Sequence, residues 1–415
     1  MPAPKTPPSP SVSPDLPSGT LGQKVCIALA LVLLAGLALG VGGLWRWLRR
    51  PLPVVPPLPP APDGIARLSE VRVVLARSQA GFAVRCPDGG TWYGRSEAGE
   101  RLVAVGRGPW LVAPSESGPS LNAEPQPEAE LVLYPNEGSF RLGDDDYRGS
   151  LVVTRQPAQA DKQAAQLLAV NVLEPEQYLR GVVAAEMYSS WPLEALMAQA
   201  VAARTFMYHS LGAKSRLTRT DMAYRGQSAE KRSTDLAVSL TEGIILTWED
   251  KVLPAYFSST CGGHTAAVEK VFASGPLPPL AGVPCDWCRS SPWFEWQARV
   301  PASLLAGLVR DRDVQTVQYL VPEDTEPDGY ARYVLINDEV RVGAGAFRLK
   351  VGGEVLKSAC FDVRKADDDF VFEGRGYGHG VGLCQWGAKG QARDGRTWQE
   401  ILEHYYPGAE LRKMR

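Results

Sequence analysis

Short runs rich in β-branched and aromatic residues open the globular part of the chain. VRVVLA, FAVRC, TWYG, RLVAVG, PWLVA, AELVLY, SLVVTR and LLAVNV follow one another between Arg67 and Leu173, separated by Gly, Asp, Pro and Asn. This pattern predicts strands joined by turns. At Glu174 the period changes. Pro175 to Met187 has helical spacing, and Trp191 to Leu211 reads as the clearest helix, with Ser190 placed to cap it and Pro192 in its first turn. At about 100° per residue, Leu193, Met197, Ala200, Met207 and Leu211 share one face, and Arg204 falls inside that stripe. From Gly243 strands return as IILTWE, LPAYFSS, FEWQARV, YARYVLI, FRLKVG and FVFEGRG. TWQEILEHYYPG closes the chain as a short helix stopped by Pro407 and Gly408. Strands on both sides of a central helical segment predict an α+β fold for residues 66–415.

The amino-terminal pattern is different. Residues 1–24 are rich in Pro and Ser and hold nothing that could form a core. Residues 25–45 carry no charge and would reach roughly 31 Å as a helix, the thickness of a bilayer's hydrocarbon. They read as a single transmembrane helix, uncleaved, because a signal peptide's apolar region is shorter. Residues 46–65 form a Pro-rich linker, expected to stand the globular part off the membrane. Lys5 and Lys24 precede the span, while Arg46, Arg49 and Arg50 follow it. Counted alone, these charges would leave the large domain in the cytoplasm.

The net charge of −2 over 415 residues, with no basic run among aromatics, sets nucleic acid aside as a partner. Of the seven cysteines, three come with a histidine as two short pairs, Cys261-Gly-Gly-His264 and Cys285-Asp-Trp-Cys288. Such spacing closes four N/S ligands around a structural Zn²⁺ and leaves no open position for catalysis. A disulfide is the competing reading, weighted below zinc. A catalytic zinc ranks lowest, since the sequence has no HExxH.

Glu186 lies in GVVAAEM, between Ala185 and Met187. Poor solvation raises a carboxyl pKa, and a carboxyl that stays protonated can serve as a general acid. Arg204, on an apolar face, needs an anion, and Glu186 precedes its helix as a candidate. Late in the chain GRGYGHGVGLCQWGAKG offers His379 and Gln385 from a glycine run that permits close backbone approach to a ligand.

The segment NVLEPEQYLRGVVAAEMYSSWPLEALMAQAVAARTF (171–206), with AYFSSTCGGHT (255–265), the glycine-rich stretch 374–390 and ILEHYYPG (401–408), closely resembles the stage II sporulation protein D family. Members are cell-wall lytic transglycosylases, or relatives described as enhancers of wall amidases. The resemblance implies that Glu186 is the catalytic acid, and that Arg204, Ser258, Ser259, His379 and Gln385 face the glycan cleft. Tyr224 and Gln227 lie in DMAYRGQ, which matches the family's aromatic substrate segment only loosely, and Cys384 stands where the family often has Ser.

The implied enzyme would cut peptidoglycan glycan strands between N-acetylmuramic acid and N-acetylglucosamine, with no catalytic cofactor, leaving 1,6-anhydro ends. The alternative is a non-enzymatic wall-binding enhancer with an amidase as partner. Either role requires an extracytoplasmic domain on a single-pass membrane anchor, against the arginine count.

Overall fold

The computed structural model describes residues 57–156, 165–272, 274–308 and 314–414. The expected tail, the transmembrane helix and most of the linker lie outside them. Among the described residues no helix is long and apolar enough to cross a membrane.

Alternation along Val71–Ser78 buries Val71, Val73 and Leu75 on one face. This strand enters a seven-stranded sheet, in the order Leu217–Thr218, Val71–Ser78, Gln166–Leu173, Ser150–Gln156, Glu130–Pro135, Gly90–Ser96, Gly99–Gly106. Its pairs are antiparallel except for the short parallel edge at Leu217–Thr218. A six-stranded antiparallel sheet, from Asp145–Arg148 across to Glu124–Pro125, contributes Phe82, Val84, Trp110, Val112, Phe140 and Tyr147 to the same core.

Two helices follow. Helix α1, Pro175–Glu186, starts with Pro at its first turn, where no N–H is needed. Helix α2 is Leu193–Ala213. Pro192 occupies its N-cap position without a side-chain cap, so the expected Ser190 cap is not formed. The single apolar stripe expected for α2 also needs correction. Its Ala200, Ala203 and Met207 join the core of the two sheets, and Ala195, Leu196, Met197, Ala198, Val201 and Ala202 join a second core. The small alanines let both layers approach, and the helix is buried nearly all round.

The second core is built by Ile244–Trp248, the antiparallel strands Glu295–Pro301, Asp369–Arg375 and Phe361–Ala366, and two late helices, α3 (Gln385–Arg393) and α4 (Trp398–Tyr405). Both cores belong to one unit, Val55–Arg415. The FRLKVG run, expected as a strand, lies mostly in the helix Ala344–Val351, where Phe347 is buried and Leu349 exposed. The end of the linker is not a free spacer. Ala61 donates to the Lys413 carbonyl, and Lys413 donates to that of Pro59, each at 2.8 Å.

Candidate active site

Glu186 is the last residue of α1, and no basic side chain stands in that turn. The carbonyl end of a helix disfavours an anion. Glu186 is half-buried, and its carboxylate takes two hydrogen bonds. Ala223 N–H donates to Oε1 at 2.7 Å, and the Gln385 side-chain amide donates to Oε2 at 3.0 Å. Burial pushes the carboxyl pKa above its ordinary value, although both donors pull it down. Among the described residues no other carboxylate contributes to that shift.

Each donor is placed by a local feature. Gly181 lets the Tyr224 ring rest on α1, since a Cβ there would sit 2.8 Å from both that ring and the Gly226 carbonyl. Tyr224 is buried with its hydroxyl on Asn171 Oδ1 at 2.8 Å, which fixes the adjoining Ala223. The loosely matching DMAYRGQ segment thus contributes a backbone N–H, and Tyr224 itself is a core residue. Gln385 opens α3 just after Leu383–Cys384, which pairs in parallel with Phe257–Ser258. Trp386 N–H donates to the Ser259 carbonyl at 3.1 Å.

The other expected cleft residues divide. Ser258 is buried on this strand pair, and its Oγ has no hydrogen-bond partner among the described residues. Ser259 Oγ reaches only Thr260 Oγ1, at 3.4 Å. His379 is engaged internally: Nδ1 accepts from Val381 N–H at 3.1 Å, the other face bonds the Phe257 backbone, and burial lowers its pKa to about 4. It is neutral near pH 7 and ties the glycine-rich loop to the strand. The glycines at 376, 378, 380 and 382 have positive φ and lie against the protein's own Thr260, Ser258, Tyr330 and Tyr256, so close packing, rather than ligand approach, accounts for them.

Arg204 is fully buried but does not touch Glu186. It forms a two-pronged pair with Glu176, at 2.8 and 2.6 Å, and donates to the carbonyls of Ile244 and Val238, each at 3.2 Å. Its anion comes from the first turn of α1, so the expected cleft role is replaced by a structural one.

The group that could hold a metal differs from the expected one by one residue. The sulfurs of Cys261, Cys285, Cys288 and Cys384 all lie within 4.8 Å of one another, all buried. His264 is outside this group, with Nδ1 2.8 Å from the Thr265 carbonyl oxygen. Cys261 and Cys288 sulfurs are 3.7 Å apart, beyond the roughly 2.05 Å of a disulfide.

Sequence reading missed an aromatic run beside Glu186. Tyr188, which is 67% exposed, lies 5.5 Å from Trp191, and Trp191 lies 5.1 Å from Trp386, measured between ring centroids. Lys389 Nζ stands 3.7 Å from the Trp386 ring centre and 4.9 Å from that of Trp191. The signal was present: these rings flank Glu186 and Gln385 in sequence. A cavity of about 640 Å³ lies elsewhere, lined by Glu295, Trp296, Cys360, Asp362 and Glu373. Neither Glu186 nor Gln385 lines it.

The family described as Stage II sporulation protein (SpoIID) matches residues 163–248, which include Glu186 and Arg204 but not Gln385 or the cysteines. An uncharacterised protein of Brachyspira hyodysenteriae is 34% identical over 292 residues, covering 68% of this chain and 76% of that protein. The amidase enhancer of Bacillus subtilis is 28% identical over 287 residues, but they span only 40% of that protein and 56% of this one. The stage II sporulation protein D of Bacillus subtilis is 32% identical over 266 residues, covering 59% of this chain and 76% of its relative. The chain belongs to the stage II sporulation protein D family.

Proposed function

We propose that this protein cuts peptidoglycan glycan strands as a lytic transglycosylase, with Glu186 as both acid and base. The neutral carboxyl gives its proton to the oxygen bridging N-acetylmuramic acid and N-acetylglucosamine, and the C1–O bond breaks. The muramyl C6 hydroxyl attacks C1 and passes its proton to the Glu186 carboxylate. A 1,6-anhydro end forms, no water is consumed, and the acid is restored. The attacking hydroxyl is intramolecular, so one carboxyl group suffices where ordinary glycosidases use two.

The observation that carries this reading is Glu186 itself: half-buried at a helix C-terminus, raised in pKa by burial and held by two neutral donors. The Tyr188, Trp191 and Trp386 rings offer apolar faces for sugar rings on an open surface, as a polymer substrate requires. Similarity to an amidase enhancer favours a second reading, in which the domain binds wall glycan and stimulates an amidase.

One experiment separates them. Full-length protein in detergent is incubated with intact and peptide-stripped glycan strands, and anhydro-muramyl ends are sought by mass spectrometry. The enzyme reading expects product that falls by about 10²–10⁴-fold in Glu186→Gln. Absence of product, or equal product from the variant, rejects it in favour of the enhancer. Either role also requires residues 66–415 to be exported, which a carboxy-terminal reporter active only outside the cytoplasmic membrane would test.

A further inference from the structure

We propose that Cys261, Cys285, Cys288 and Cys384 together bind one thiophilic divalent cation, zinc by preference, and that this ion, through Cys384, holds Gln385 against Glu186. The binding half stands on the cysteine geometry alone. The catalytic half rests on the glycan-cleavage reading.

Four sulfurs about 2.3 Å from a tetrahedral Zn²⁺ lie about 3.8 Å from one another. Cys261 and Cys288 already stand at 3.7 Å, and no pair in the group exceeds 4.8 Å. The surrounding donors are directed at sulfur. Cys384 Sγ accepts from the backbone N–H groups of Cys261 and Gly387, both at 3.3 Å. The Tyr405 hydroxyl lies 3.1 Å from Cys285 Sγ, while the Cys288 and Cys384 sulfurs also stand 3.7 and 3.8 Å from the carbonyl oxygens of Cys285 and Ser259. Donors converging on sulfur suit thiolates, which a cation must neutralise in a buried place. Gly387 keeps the space open, because a Cβ there would come within 2.6 Å of Cys285 Sγ.

Such an ion would tie three separate stretches together: the turn at Cys261, the turn at Cys285–Cys288 and the start of α3. Cys384 is the N-cap of α3 and Gln385 its first residue. The buried Gln385 amide then meets Glu186 Oε2 at 3.0 Å. A ligand bond at Cys384 therefore fixes the backbone one residue from the group that touches the acid. Gln385 is in this sense a positioning residue, and the ion holds it in place.

The test uses the full chain, purified under reducing conditions. Metal analysis should give one ion per chain, and Co²⁺ exchange should give the ligand-field bands of a tetrahedral tetrathiolate. His264→Ala should keep those bands, while Cys384→Ser should lose the ion or change the spectrum. Should Cys384→Ser not fold, chelation of the wild-type protein provides the metal-free state. Selective ¹⁵N labelling of glutamine then reads the coupling without substrate. In loaded protein Glu186→Ala should move the Gln385 side-chain amide signals, and after chelation they should no longer respond. A metal-free protein with a Cys261–Cys288 disulfide, or loss of the cobalt bands in His264→Ala, overturns the site. An unchanged Gln385 response after chelation overturns the coupling. Since neither measurement depends on turnover, failure of the glycan-cleavage reading would be seen separately.

Discussion

Replacing Arg204 by methionine should destabilise the protein without entering its chemistry. The guanidinium is fully buried and makes two bonds to Glu176 and two to the carbonyls of Val238 and Ile244. Methionine fills much of the same volume but leaves Glu176 without its cation, with only Gly243 N–H still at 3.3 Å. Breaking a buried pair in this way costs about 3–5 kcal/mol, because the orphaned charge stays behind. The Glu176 side chain is 26% exposed and can turn partly to water, so the lower end, about 3 kcal/mol, is expected. A domain of this size has an unfolding entropy of about 0.75 kcal/mol/K, which converts that loss into a fall in Tm of about 4 °C. Urea unfolding and a thermal scan would measure both. Adding Glu176→Met to the same variant should restore much of the loss, since an apolar pair replaces a buried ionic one at little cost. An unchanged Tm with abolished glycan cleavage would refute this reasoning and return Arg204 to the cleft.

Glu186→Gln should also gain stability relative to wild type as pH rises. The folded-state pKa of Glu186 lies above that of the unfolded chain, so between the two values the native state holds more protons, and wild-type stability falls with rising pH until Glu186 is fully ionised. His379 acts in the opposite sense between about 4 and 6.5, where the unfolded chain binds the extra proton. The difference between variant and wild type in urea unfolding at successive pH values isolates Glu186, and a difference that shrinks with pH would count against burial as the cause. Gly387→Ala should destabilise despite a helix propensity that favours Ala by up to about 1 kcal/mol. Its Cβ would lie 1.9 Å from Tyr405 Oη and 2.6 Å from Cys285 Sγ, overpacking that costs about 1–3 kcal/mol. Thermal unfolding decides the sign, and a gain in Tm would contradict the packing.

What the chain revealed in advance depended on how local each signal was. The β-branched and aromatic runs before Leu173 and the start of α1 needed only neighbouring residues, and they form the expected strands and helix. Glu186 and Gln385 were named separately, 199 positions apart, and meet at 3.0 Å. Arg204 was misread because a cation on an apolar face announces a need for an anion without saying which one. Glu176, one helix earlier, meets that need as well as Glu186 would. Cys384 was passed over because it stands alone in sequence, and only the parallel pairing of Leu383–Cys384 with Phe257–Ser258 brings it to Cys261. His264 had the right spacing but the wrong direction. The Ala223 donor carries no side-chain signal at all, since any residue but proline offers that N–H. A local pattern can therefore nominate an acid, but the groups that tune it arrive from a loop 37 residues away and a helix start 199 away, placed by packing around Tyr224 and by the pairing of Leu383–Cys384 with Phe257–Ser258. Substitutions that alter only that packing should move the properties of Glu186 while leaving the GVVAAEM sequence untouched.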